Sequence, residues 1–70
     1  MNGFKKVGEK IKYYREKRGI DKKFLAKCIG MSDSRYEEIE DGRAIYQFWT
    51  LQKIAIALEI DLPELLDFEL

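Results

Sequence analysis

The residue types in this 70-residue chain leave little room for covalent chemistry. There is no histidine, and the single cysteine, Cys28, has no base near it in sequence to make a nucleophilic thiolate. A lone thiol without a second cysteine or a histidine makes no metal site either. The thirteen carboxylates scatter over helical surfaces instead of pairing as acid and base, and no glycine-rich phosphate loop is present. No enzyme activity, cofactor or metal is therefore expected. What the chain does hold is a run of hydrogen-bonding side chains from Asp33 to Glu38, flanked by Lys22, Lys23 and Arg43. The Ser34 hydroxyl suits several base edges. The Arg35 fork suits a guanine edge or a phosphate, and Glu37 and Glu38 can accept from a cytosine amino group. A lysine meets a phosphate as a point charge.

These side chains need short, well-defined elements to hold them. Asp21 is a good N-cap, and Leu25, Ala26 and Ile29 follow it at helical spacing, which predicts a helix over 22–29. Gly30 stands where that helix must stop. Ser32 is the next N-cap, and Asp33 sits in a first turn that favours an anion. Tyr36 and Ile39 then form an inward i, i+3 pair on a helix over 33–41, ended by Gly42. With those two inward, Asp33, Ser34, Arg35, Glu37 and Glu38 point out. Two brief helices joined by a tight turn make the helix-turn-helix unit used on DNA.

Leu25-Ala26-x-x-x-Gly30-x-Ser32, followed by Ile39-Glu40-x-Gly42, resembles the lambda-repressor-like (Cro/C1, or XRE) DNA-binding domains. The resemblance covers about Val7 to Leu66. It implies an all-α, compact five-helix domain and a sequence-specific, repressor-like transcriptional regulator, acting as a homodimer on double-stranded DNA. Small phage repressors, restriction-modification controllers and antitoxins of the family work this way. The recognition helix would lie in the major groove. Lys22, Lys23 and Arg43 would meet phosphates, while Asp33, Ser34, Arg35, Glu37 and Glu38 would face base edges. The family also pairs an arginine at the position of Arg15 with a glutamate at that of Glu40, locking the first helix to the third. Three features depart from the pattern. Asp33, Glu37 and Glu38 put three acids on the outward face, no proline stands near Tyr46, and Glu59 replaces the usual glycine after the fourth helix. The acids give an alternative weight: a protein-interaction module on the same scaffold, with weak DNA affinity.

The rest of the chain fits one domain. Phe4, Val7, Ile11 and Tyr14 form the inward stripe of a helix over 4–17, ended by Gly19, with Ile20 folding back. Leu51, Ile54, Ala55 and Leu58 do the same for 48–58. Asp61 and Glu64 make a capping box, with Pro63 in the first turn of a short helix over 62–67. Leu62, Leu65 and Leu66 are expected to close the core, leaving Phe68 and Leu70 as an apolar tail. Phe24, Tyr46 and Trp49 suggest apolar surface for a protein partner or a second copy. Net charge is zero, but it is unevenly placed. Residues 1–27 carry ten Lys/Arg against three Asp/Glu, or +7, and residues 28–70 carry three against ten, or −7. Such asymmetry hints at a polyanionic partner. No membrane-length apolar run or signal peptide is visible, and one cysteine excludes an internal disulfide, so a cytoplasmic location is expected.

Overall fold

Side-chain caps set where the two central helices begin. The structure is a computed structural model that describes residues 3–66. It contains α1 (Gly3–Lys17), α2 (Lys22–Cys28), α3 (Asp33–Glu40), α4 (Phe48–Leu58) and α5 (Leu62–Leu66), and no strand among the described residues. The Asp21 carboxylate accepts from the Phe24 N–H at 2.8 Å, and the Ser32 hydroxyl accepts from the Arg35 N–H at 3.2 Å. Before α5, the Glu64 carboxylate accepts from the Asp61 N–H at 3.0 Å, which is the reciprocal half of the capping box. Boundaries fall within a residue of those read from the sequence. Ile29 and Asp41 turn out to be caps rather than last helical residues. Asp67, Phe68 and Leu70 lie outside the described residues.

The first four helices all end with the same pair of backbone bonds. At α1 the Gly19 N–H donates to the Glu16 carbonyl and the Ile20 N–H to the Arg15 carbonyl, at 3.0 and 3.1 Å. The pattern repeats after α2 and α3, around Gly30 and Gly42. Each of these glycines has a positive φ near 70–75°, as this helix ending requires. After α4 the left-handed residue is Glu59, at φ 58°. The Glu59 and Ile60 N–H groups still donate to Ile56 and Ala55, both at 3.0 Å. The missing glycine therefore leaves the helix end sharp, with a left-handed side chain in its place.

The inward stripes meet in one core. Val7 and Ile11 of α1 join Leu25 and Ala26 of α2, Tyr36 and Ile39 of α3, and Leu51, Ile54, Ala55 and Leu58 of α4. Leu65 is the one buried residue of α5, while Leu62 is partly buried and Leu66 is 43% exposed, so only one of the three expected leucines is fully enclosed. Ala44 adds a buried methyl from the α3–α4 loop.

Two charges lie inside this apolar shell. Arg15 and Glu40 are 6% and 7% exposed. The Arg15 Nε donates to Glu40 Oε2 at 2.5 Å and its Nη2 to Oε1 at 3.3 Å, while Nη1 donates to the Ile20 carbonyl at 2.7 Å. The Tyr36 hydroxyl donates to the same Glu40 carboxylate. Burial alone would lower the Arg15 pKa, but the bond to Glu40 and its charge outweigh burial and raise it. Burial, and then the Glu40 bond and charge, push the Tyr36 phenol up. The expected lock between the first and third helices is thus present, and it also takes in the turn leading to α2.

Gly8 explains how α1 comes close enough to make that lock. A Cβ there would stand 2.4 Å from the Glu40 carbonyl oxygen and 2.7 Å from that of Ile39. Those are backbone atoms, which cannot swing aside. On helix propensity alone, Gly8→Ala should stabilise by about 1 kcal/mol. Overpacking against a rigid partner costs about 1–3 kcal/mol and should win, so the urea midpoint of Gly8→Ala is expected to fall. An unchanged or higher midpoint would refute the close approach. Glu59→Gly should move the midpoint the other way. It relieves a left-handed side chain at about 1 kcal/mol, and loses only an exposed 3.4 Å pair with Arg18 that contributes little.

Candidate nucleic-acid interface

Helices α2 and α3 are joined through residues 29–32, and the turn leaves α3 with one face on the core and one in solvent. Tyr36, Ile39 and Glu40 take the inward positions. Asp33, Ser34, Arg35 and Glu37 are exposed, and Glu38 is partly so. Lys22 and Lys23 stand in the first turn of α2, partly and fully exposed, and Arg43 is exposed just past the end of α3. Every residue expected at the interface is therefore open to solvent, on two adjacent helices and the loop that follows.

Most of the cations on this surface have an acidic neighbour. Lys22 Nζ lies 3.4 Å from Glu37 Oε2, which joins the start of α2 to α3. Arg35 Nη1 lies 3.7 Å from Glu38 Oε1, and Arg43 Nη2 lies 3.0 Å from Asp41 Oδ2. The bond to Asp41, and then its charge, raise the Arg43 pKa. Lys23 makes no ion pair among the described residues. Exposed pairs of this kind contribute about 0–1 kcal/mol, so a phosphate can displace the carboxylate at small cost. The face is nearly neutral without being inert: its acids and bases are set out as exchangeable pairs.

Two contributors were not legible in the sequence. Asp41 orients Arg43 from two residues away, a spacing too common to flag. Arg35 Nη2 also donates to the Ile45 carbonyl at 3.0 Å, and a loop carbonyl leaves no mark on residue type.

The three aromatics expected to form a protein-binding patch are not equivalent. Phe24 and Trp49 are each 58% exposed. Tyr46 is half-buried and packs edge-on against Phe4, with ring centroids 5.0 Å apart. Burial raises its phenol pKa. Tyr46 also lines an apolar groove with Phe4, Val7, Phe48, Leu51 and Leu66. Among the described residues no cluster of acidic, histidine or cysteine side chains is placed to hold a metal, and no helix is long and apolar enough to cross a membrane.

Residues 10–70 match the Cro/C1-type HTH DNA-binding domain. Over 58 residues the chain is 38% identical to the ImmF control region 10 kDa protein of Bacillus phage phi105. That match takes in 83% of this chain but 64% of the phage protein, so the chain spans less than two thirds of that relative. The restriction-modification controller protein C.AhdI from Aeromonas hydrophila superposes with a TM-score of 0.84 at 27% identity, over 89% of this chain and 94% of that one. The clp gene regulator ClgR from C. glutamicum shares the fold, with a TM-score of 0.86 at 22% identity over 90% and 82% of the two chains.

Removing one carboxylate tests the exchange picture. The change Glu37→Gln takes away a charge that repels phosphate and releases Lys22 from its partner. Affinity for a random DNA duplex at low salt should rise about threefold, in line with about 0.7 kcal/mol from one exposed pair. Unchanged affinity would mean that Glu37 does not sit at the nucleic-acid surface.

Proposed function

The chain belongs to the Cro/C1-type helix-turn-helix DNA-binding domain family, and on that footing we propose that it is a sequence-specific, repressor-like transcriptional regulator acting as a homodimer. As a member of that family it is a DNA-binding protein and not an enzyme. The observation that carries the reading is the exposed outer face of α3, on a helix whose other side is clamped by the buried Arg15–Glu40 pair. A phage control-region protein and a restriction-modification controller among the similar proteins support a regulatory role.

In this reading α3 enters the major groove. Lys22, Lys23 and Arg43 bind phosphates and fix the register, while Asp33, Ser34, Glu37 and Glu38 meet base edges, with Arg35 standing among them on the same face. Serine donates or accepts as the edge demands. Each glutamate selects a cytosine amino group and repels edges that offer only acceptors, so the acids narrow the choice of sequence. A second copy completes the site. Ile45 is 79% exposed, and with Phe48, Trp49 and the neighbouring groove it offers apolar surface beside the loop that follows α3. Two-fold pairing sets half-sites about one DNA turn, roughly 34 Å, apart.

The test is duplex binding measured across salt, joined to selection of bound sequences from a random pool. Each neutralised phosphate contributes about −0.9 to the slope of log affinity against log salt. Three contacts per protomer give a slope near −5 for a dimer, and selection should return palindromes. A flat salt response would sink the reading. It would instead mark Asp33, Glu37 and Glu38 as a surface for another protein.

A further inference from the structure

We propose that Arg35 is a positioning residue that aims Arg43 at the DNA backbone, and that it does not itself read bases. The proposal rests on the reading that α3 meets DNA, and it refines one part of that surface. A guanidinium has its donors in a fixed planar fork, so two separated partners determine its orientation. Arg35 has one hydrogen-bonded partner and one opposite charge nearby. Nη2 donates to the Ile45 carbonyl at 3.0 Å, and Nη1 lies 3.7 Å from the Glu38 carboxylate. To fork onto guanine, the same nitrogens would have to give up that carbonyl.

The contact joins the outer side of α3 to residues 43–47, a stretch with no helical structure of its own. Arg43 lies within this stretch, between fixed points. Its N–H donates to the Glu38 carbonyl at 2.9 Å. Ala44, the next residue, is 3% exposed and seated in the core. One residue further on, the Ile45 carbonyl is clasped by Arg35. Asp41 then turns the Arg43 side chain from 3.0 Å away. Glu38 therefore serves both arginines, one through its carboxylate and one through its carbonyl. Without the Arg35 clasp, the stretch after Arg43 keeps its core anchors at Ala44 and Tyr46 but loses its side-chain tie to the outer side of α3, and among the described residues the Arg43 side chain is held there by Asp41 alone. Lysine cannot replace the clasp, because a single ammonium has no fork to span both partners.

A double-mutant cycle read in salt dependence tests this. Binding to a random duplex is titrated across salt for the full chain and for Arg35→Ala, Arg35→Lys, Arg43→Gln and the Arg35→Ala/Arg43→Gln pair. Arg43→Gln should flatten the slope by about 0.9 per protomer in the otherwise unchanged chain, and by almost nothing in the Arg35→Ala background. Arg35→Lys should behave like Arg35→Ala although it keeps the charge. Selection from a random pool should return the same base preferences with and without Arg35→Ala. Additive slope losses, wild-type behaviour of Arg35→Lys, or relaxed preference at one base position would each overturn the proposal while leaving the DNA-binding reading intact. A chain that ignores duplex at every salt overturns both.

Discussion

The buried pair of Arg15 and Glu40 fixes the geometry on which the outer face depends. Taking two charges out of water is costly, and mutual attraction offsets the cost only when the remaining donors and lone pairs are also satisfied. Here they are: Ile20 supplies a carbonyl to the guanidinium, and Tyr36 supplies a hydroxyl to the carboxylate. No buried side-chain nitrogen or oxygen among the described residues lacks a partner. A pair of this kind is weak as net stabilisation. Its effect is one of position, because a planar fork with three acceptors around it has one good seat. The seat involves α1, α3 and the turn into α2, so it ties the helix-turn-helix to α1.

That seat exists only because two backbones come into contact. Gly8 in the middle of α1 touches the Ile39 and Glu40 carbonyls, and Gly42 past the end of α3 touches the backbone of Lys5. Side chains at either place would hold the helices apart and draw Arg15 away from Glu40. The repeated helix ending works to the same purpose. It turns each chain exit sharply, which lets helices of seven or eight residues pack before the next begins. Short helices of this length are not stable alone, so their caps and shared core must act together.

The electrostatics follow a similar logic at the surface. The two halves of the sequence differ by fourteen charges, at +7 and −7, yet the fold does not leave one basic lobe and one acidic lobe at the candidate interface. It interleaves them. Lys22 comes from the basic half and meets Glu37 from the acidic half, at the seam between α2 and α3. A surface arranged this way attracts a polyanion less at long range than a bare cationic patch would. At contact it asks for groups that can replace each carboxylate in turn, which favours selectivity over bulk attraction.

Much of this protein was legible before any coordinates. Helix starts at Asp21 and Ser32, stops at Gly19, Gly30 and Gly42, and the inward stripes of Ile11, Leu25, Tyr36 and Leu51 are local properties, set by side-chain type and a period of 3.6 residues. The family motif over Leu25–Gly42 and the pairing of Arg15 with Glu40 were readable for the same reason: both are residue types at fixed spacing. Only the tertiary structure decided why a glycine sits inside α1 at Gly8, why Leu66 stays half in water, that Glu59 can close a helix without being glycine, and where the Arg35 fork goes. Each of those turns on a backbone atom or a gap supplied by a distant part of the chain, and a backbone carbonyl is the same at every position in a sequence.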